Sequence, residues 1–84
     1  MELYEWLFRV KSDFHIEEIT PDAVFIIDLD TIGAMSVTND AENVVTYLYN
    51  RFGNRRFIYR DTMGRWDELA HDNGHFTGFL PYNP

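Results

Sequence analysis

Two carboxylates at the end of an apolar run have the spacing of a candidate metal site. Asp28 and Asp30 follow the apolar residues 23–27 and are separated by one residue. On a strand this spacing places both side chains on one face, and carboxylate oxygens are the ligands that Mg²⁺ prefers. No lysine, glycine-rich phosphate loop or further acidic cluster follows at a suitable spacing. Because aspartates also begin turns, we favour a turn and keep a metal-dependent hydrolase or nuclease as an alternative function.

Two histidines flank a tight-turn sequence at residues 71–75, His-Asp-Asn-Gly-His. Asn-Gly predicts a type I′ hairpin turn, which would pair Asp72 with His75 and His71 with Phe76. The two imidazoles would then lie on neighbouring rungs and point to opposite faces of the hairpin. The spacing therefore predicts a solvated hairpin tip and no shared metal ion.

A cluster of arginines interleaved with aromatic residues is a candidate nucleic-acid interface. Such side chains on a sheet hold single-stranded nucleic acid through phosphate contacts and base stacking. However, the net charge of −7 repels polyanions at a distance. We therefore expect the arginines to neutralise acids of the N-terminal half, and keep nucleic-acid binding through residues 51–66 as an alternative function. The cluster comprises Arg51, Arg55, Arg56, Arg60 and Arg65, interleaved with Phe57, Tyr59 and Trp66.

Acidic residues are concentrated in the first half of the chain. Residues 1–42 contain ten of the fourteen acids and only two basic residues. An acidic face can steer a protein onto a basic partner, and partly exposed aromatic and arginine side chains can anchor the contact. For the acidic face we select Glu17, Glu18, Asp22, Asp28 and Asp30. For the aromatic and arginine anchors we select Trp66, Arg60, Arg65 and Tyr47.

Nucleophilic catalysis has little support in the sequence. Ser12 and Ser36 are the only serines, neither lies in a nucleophile-elbow sequence, and there is no cysteine. We therefore expect no enzyme, no catalytic residue, no metal ligand and no cofactor. The lack of cysteine excludes disulfides and favours a reducing cytoplasm. The acidic N-terminus lacks the layout of a signal peptide, and the longest apolar run, residues 23–27, is far shorter than the roughly 20 residues of a membrane span.

The elements that would position these residues begin with strands. Alternation over residues 4–10 favours a strand, with a short helix as the rival interpretation. Residues 11–22 are polar and predict a loop, with at most one helical turn around residues 16–19. Residues 23–29 are apolar on both faces and predict a central strand. Residues 34–37 predict a short return strand or an extended connection.

The clearest element is a helix over about residues 40–52. Its apolar residues recur at three- and four-residue spacing. Asn39 and Glu42 form a variant capping box at its start, and Gly53 suits the position just after its end. The apolar face comprises Ala41, Val44, Val45, Leu48, Tyr49 and Phe52.

A β-meander follows the helix. Strands over residues 56–61, 65–72 and 75–80 are separated by a turn at 61–64 and by the Asn-Gly turn. The first turn would set Arg60 opposite Trp66, as a cation–π pair, and Asp61 opposite Arg65, as an ion pair.

Together these elements predict one small domain over residues 1–84. Its fold class is α+β, an antiparallel-dominated sheet of four to five strands with the helix packed on one face and a C-terminal β-meander. The strands before and after the helix can lie parallel through a crossover. We expect a core of Trp6, Phe8, Phe25, Ile27, Val44, Val45, Leu48, Phe52, Ile58 and Phe79.

The sequence therefore predicts a non-enzymatic acidic binding module that inhibits or regulates a protein partner. We expect that partner to be basic, and expect neither nucleic acid nor a membrane to be bound. In its size, acidity, lack of cysteine and aromatic-rich α+β pattern, the chain resembles the small proteins with which phages inhibit host defence or nucleic-acid enzymes. That resemblance implies a basic nucleic-acid-handling protein as the target.

Overall fold

The structure is a computed structural model that describes residues 10–29 and 36–84. The first elements within these ranges are strand β1 (Phe14–Ile19) and strand β2 (Ala23–Asp28). A short 3₁₀ helix (Val37–Asp40) leads into the helix α1 (Ala41–Phe52). Three strands follow: β3 (Arg56–Arg60), β4 (Trp66–Asp72) and β5 (His75–Pro81).

The strands of the described residues form one five-stranded sheet in the order β1-β2-β3-β4-β5. Strands β2 and β3, on either side of α1 in the chain, are parallel, and the other three pairings are antiparallel. The predicted α+β architecture is therefore confirmed, with α1 on one face of a mostly antiparallel sheet. We call the face turned away from α1 the outer face.

The prediction of a loop over residues 11–22 is wrong, because Phe14–Ile19 form strand β1. A β-bulge between Ile16 and Glu18 shifts the pairing with β2. The bulge adds one residue to the strand, so the two consecutive glutamates at 17 and 18 break the alternation of apolar and polar residues by which a strand is recognised in a sequence. The predicted strand at residues 4–10 lies outside the described residues except for Val10, which packs against the core.

The start of α1 also differs from the prediction. Asn39 lies within the 3₁₀ helix, where its backbone N–H is 3.4 Å from the Ser36 hydroxyl, so it does not cap α1. Val37 opens the 3₁₀ helix, so it is not part of a return strand, and residues 34 and 35 lie outside the described ranges. The helix ends as expected: Gly53 has φ +84° and donates its N–H to the Tyr49 carbonyl at 2.8 Å.

The C-terminal meander follows the predicted register. Arg60 lies opposite Trp66, and Asp72 lies opposite His75. Asn73 (φ 48°) and Gly74 (φ 93°) both have the positive φ that a type I′ turn requires. A bulge between Ala70 and the next residue then shifts the remaining pairs of β4 and β5.

The core lies between α1 and the sheet. Of the apolar face predicted for α1, Ala41, Val44, Val45 and Leu48 are buried, whereas Tyr49 and Phe52 are half-buried and pack against the core. Ile58 is buried on the outer face. Phe25 and Ile27 are half-buried and do not pack against this core, and Phe79 is 40% exposed, so these three assignments are wrong. Trp6 and Phe8 lie outside the described residues. The buried apolar positions that belong to neither the predicted core nor the predicted helix face are Ala23, Val24, Ile26, Val37, Tyr47, Phe57, Tyr59 and Leu69.

The error on β2 has a simple cause. This strand is apolar on both faces, so alternation cannot say which set of side chains faces the helix. Val24 and Ile26 face α1 and are fully buried, whereas Phe25 and Ile27 point to the outer face.

Candidate functional site

Three aromatic rings contact one another on the outer face. Phe25 comes from β2, Trp66 begins β4, and Tyr82 follows β5. The ring centroids are 6.5 Å apart for Phe25 and Trp66, 6.2 Å for Phe25 and Tyr82, and 5.9 Å for Trp66 and Tyr82. Interplanar angles of 80°, 65° and 48° make these edge-on or tilted contacts, which aromatic pairs prefer. All three side chains are half-buried, so part of each ring remains accessible. We call these residues the aromatic triad.

Two arginines lie over the triad. The guanidinium carbon of Arg60 is 5.5 Å from the centroid of Trp66, its partner across the strands. That of Arg56 is 5.8 Å from the centroid of Tyr82. The predicted cation–π contact between Arg60 and Trp66 is therefore present, and Arg56 makes a second one.

Both arginines are also paired with glutamates. Arg56 makes a two-pronged contact with Glu68, with its Nη2 at 2.7 Å from Oε1 and its Nε at 3.2 Å from Oε2. The hydrogen bond and the negative charge of Glu68 raise the pKa of Arg56. Nη2 of Arg60 is 3.6 Å from Oε1 of Glu17 on β1. The outer face therefore combines aromatic rings with locally balanced charge.

The other arginines are directed elsewhere. Arg51 donates to the Tyr47 hydroxyl at 3.0 Å, and Arg55 donates to the Thr20 carbonyl at 2.8 Å. Arg65 lies within 3.3 Å of Asp67. The arginine cluster is thus divided among several partners, and within residues 10–29 and 36–84 Glu17 is the one acid of the N-terminal half among them.

Asp61 shapes a turn and does not form the expected ion pair with Arg65. One of its carboxylate oxygens accepts the backbone N–H groups of Met63 and Arg65, both at 2.9 Å. The two residues also pair through the backbone, with the Asp61 N–H donating to the Arg65 carbonyl. The two residues are opposite each other as predicted, but they interact through hydrogen bonds that involve the backbone and not through an ion pair.

The selected acidic residues lie in different surroundings. Glu17, Glu18 and Asp22 are exposed on β1 and the turn that follows it. Asp28 is only 4% exposed, and its Oδ2 accepts the backbone N–H of Val37 at 3.1 Å. Asp30 lies outside the described residues. Asp28 therefore stabilises the approach to α1 and is not a surface carboxylate.

A metal centre gains no support from this arrangement. Among residues 10–29 and 36–84, no group of three or more histidine, aspartate or glutamate side chains is placed to hold a metal ion. His71 and His75 point to opposite faces of the β4–β5 hairpin, as their register requires.

Tyr47 is not an exposed anchor. It is 7% exposed on α1, and its ring meets that of Phe14 edge-on at 6.3 Å. By contrast, Phe25, Tyr82 and Arg56 belong to the outer face and were not selected from the sequence. Phe25 pairs with Ile58, which lies two residues before Arg60, the partner of Trp66. This could have placed Phe25 beside Trp66 only if the orientation of β2 had been known.

Comparisons with known proteins give no further guide to function. No family model matches the chain, and neither a curated protein nor a solved structure matches it. Within the part of the chain that the structure describes, no helix is long and apolar enough to cross a membrane.

Proposed function

We propose that the protein is a non-enzymatic binding module that inhibits or regulates a protein partner through its outer face. The observation that carries this proposal is the aromatic triad with its two stacked, glutamate-paired arginines. Tryptophan, tyrosine and arginine are the side chains that most often dominate the energy of protein interfaces. Here they are held in place by their mutual contacts, so binding would immobilise few additional rotamers.

The charge around the outer face favours a basic partner. Glu17, Glu18 and Asp22 are exposed beside it, and residues 12–50 contain no lysine or arginine. Carboxylates arranged in this way steer basic surfaces into contact. A basic nucleic-acid-handling protein, the kind of target that small phage inhibitors have, fits this chemistry.

Direct nucleic-acid binding is less well supported by the same contacts. A phosphate would have to compete with Glu68 for Arg56 and with Glu17 for Arg60. The net charge of −7 adds repulsion at longer range. A mobility-shift experiment at low salt, with single- and double-stranded DNA and RNA, tests this alternative, and we expect no complex.

The proposal is tested by capturing partners from cells of the source organism and identifying them. Purified partner is then titrated with wild-type protein and with Trp66→Ala and Tyr82→Ala. We expect each substitution to weaken binding by roughly 2 kcal/mol, as at interface hot spots. Met63→Ala is the matched control, because Met63 is an apolar side chain 89% exposed on the turn beside β4. If both aromatic variants bind as tightly as the control, the outer face is not the interface.

Steering is tested separately by charge reversal. Glu18→Lys and Asp22→Lys alter exposed carboxylates, and Glu17 is left unchanged because it pairs with Arg60. We expect a slower association rate with the partner, most clearly at low salt, and little change in the dissociation rate. An association rate that is unaffected by both reversals and by salt would contradict a basic partner.

A further inference from the structure

Among the strands that the structure describes, β1 and β5 lie at the two edges of the sheet, and they differ in their ability to accept another strand. On β5, Pro81 has no backbone N–H, Gly78 has φ +146°, and a bulge interrupts the pairing with β4. Proline and bulges are devices that block strand pairing at an edge. On β1 the bulge comes only after Ile16, so the pairing of Phe14, His15 and Ile16 with β2 is regular. The first part of β1 is therefore the better edge for strand addition.

The backbone of β1 presents hydrogen-bonding groups along this edge. The Leu29 N–H donates to the Asp13 carbonyl at 2.9 Å, which identifies these residues as a hydrogen-bonded pair. In an antiparallel ladder such pairs alternate with pairs whose N–H and C=O groups point away from the neighbour. Phe14 and Ile16 hold those alternate positions. Among residues 10–29 and 36–84, their outward groups have no backbone partner.

A groove runs beside the same edge. It has a volume of about 430 Å³ and is lined by Phe14, Ile16 and Tyr47 of α1, and also by Val10, Asp13 and His15. Ser12 also lines it, and the Ser12 hydroxyl is buried without a hydrogen-bond partner among the described residues. Buried polar groups are almost always paired, so this hydroxyl is available to a group that enters the groove.

The two sides of the β1 edge favour different side chains. Phe14 and Ile16 pack toward the core on the α1 side. Asp13 and Glu17 are exposed, and Glu17 lies on the opposite side, where it meets Arg60. An added strand would place alternate side chains against these two surfaces. Apolar side chains fit against Phe14, Ile16 and Tyr47, and basic side chains fit Asp13, which also lines the groove, and Glu17.

We propose that β1 accepts, by strand addition, an extended segment of a protein partner in which apolar and basic residues alternate. This inference rests on the proposed protein-binding function and specifies how the partner is engaged. Main-chain hydrogen bonds to Phe14 and Ile16 provide affinity, and the groove and the carboxylates select the side chains.

The test uses a short synthetic peptide in which lysine and valine alternate, added to the isotope-labelled full chain. At saturating peptide, we expect amide hydrogen exchange at Phe14 and Ile16 to slow by about tenfold or more. The His15 amide is already directed toward β2, so it serves as an internal reference. A peptide of the same composition with its valines in one block, and one with glutamate in place of lysine, should produce no protection.

A charge reversal completes the test. Asp13→Lys should weaken peptide binding about fivefold or more, whereas Asp72→Lys, on the exposed tip of the β4–β5 hairpin, should not. Absence of peptide binding, or equal binding of the blocked peptide, overturns strand addition at β1. The outer-face proposal would stand in that case if Trp66→Ala still weakens capture of the partner, so the two failures are distinguishable.

Discussion

His71 lies flat against Phe57, with their ring centroids 4.6 Å apart and 17° between the ring planes. Its Nε2 is 2.6 Å from the carbonyl oxygen of Arg55, and its Nδ1 is 3.0 Å from the backbone nitrogen of Gly74. A carbonyl only accepts and a backbone N–H only donates, so Nε2 carries the proton and Nδ1 accepts. One neutral imidazole therefore joins the start of β3 to the tip of the β4–β5 hairpin.

Replacing His71 with alanine should destabilise the fold. The substitution removes the stacking contact with Phe57 and leaves the N–H of Gly74 without its acceptor. We expect a loss of about 2–4 kcal/mol in the free energy of unfolding, measured by urea denaturation. His75→Ala is the control, because His75 is exposed on the other face of the same hairpin. Equal effects of the two substitutions would show that the imidazole does not join these elements.

Gly74 should be intolerant of a side chain for two reasons. Its φ of +93° is costly for other residues, and an added Cβ would come within 2.8 Å of the Tyr49 ring. Gly64 has a similar φ of +85° but open space around it. We therefore expect Gly64→Ala to cost about 1 kcal/mol and Gly74→Ala to cost at least about 1 kcal/mol more. Thermal and urea denaturation of the two variants measure this difference, which would vanish if Tyr49 moved aside freely.

The meander and the helix were predictable because their signals are local. Asn73-Gly74 specifies its turn through backbone conformation alone, and α1 carries a regular apolar repeat. Strand β1 was not predictable in this way, since its bulge at Ile16 and Glu18 interrupts the alternation. Strand β1 is defined by its pairing with β2, and the local sequence of β1 does not specify that pairing.

The candidate site was predictable only in part, for a related reason. Arg60 and Trp66 could be paired because one short turn fixes their register. Phe25 contacts Trp66 because β2 pairs with β3, which is distant in the sequence, and Tyr82 contacts both rings because of the path that the chain takes after β5. Which face of β2 turns away from α1 is a property of the assembled sheet, so the aromatic triad could not be assembled from local patterns.

The carboxylate of Asp40, which is 9% exposed, should make a large contribution to the free energy of unfolding. Its Oδ2 accepts the backbone N–H groups of Lys11 and Ser12 at 2.7 and 2.9 Å, and its Oδ1 accepts from the Asn43 amide at 2.9 Å. The carboxylate thus fastens the segment before β1 to the start of α1. We expect Asp40→Ala to cost about 2–3 kcal/mol, because it leaves partly buried donors unpaired.

The control for this substitution is Glu42→Ala. Glu42 is an exposed acid in the first turn of α1, so both variants remove one negative charge near the helix start. We expect the Glu42 variant to change the free energy of unfolding by no more than about 0.5 kcal/mol. If urea denaturation gave the two variants the same stability, the contribution of Asp40 would be its charge near the helix and not its contacts.

Tyr59 should make stability depend on pH in the alkaline range. Its side chain is 3% exposed, and burial is the main cause that raises its pKa above the ordinary value of 10.0, while the hydrogen bond with Thr38 opposes the rise. In the folded protein the phenol therefore stays protonated at pH values where the unfolded chain ionises. The stabilisation is complete below pH 10 and is lost as the pH rises through the folded-state pKa.

Tyr59→Phe separates this effect from other titrations. Below pH 10 the variant should be less stable than the wild type by about 1 kcal/mol, because it lacks the 2.8 Å hydrogen bond between the Tyr59 hydroxyl and Thr38. Above that pH the difference should shrink and can reverse, since phenylalanine has no proton to lose. Urea denaturation at a series of pH values, with phenolate absorbance recorded in parallel, measures both quantities. A stability difference that stays constant across the alkaline range would contradict a raised pKa at Tyr59.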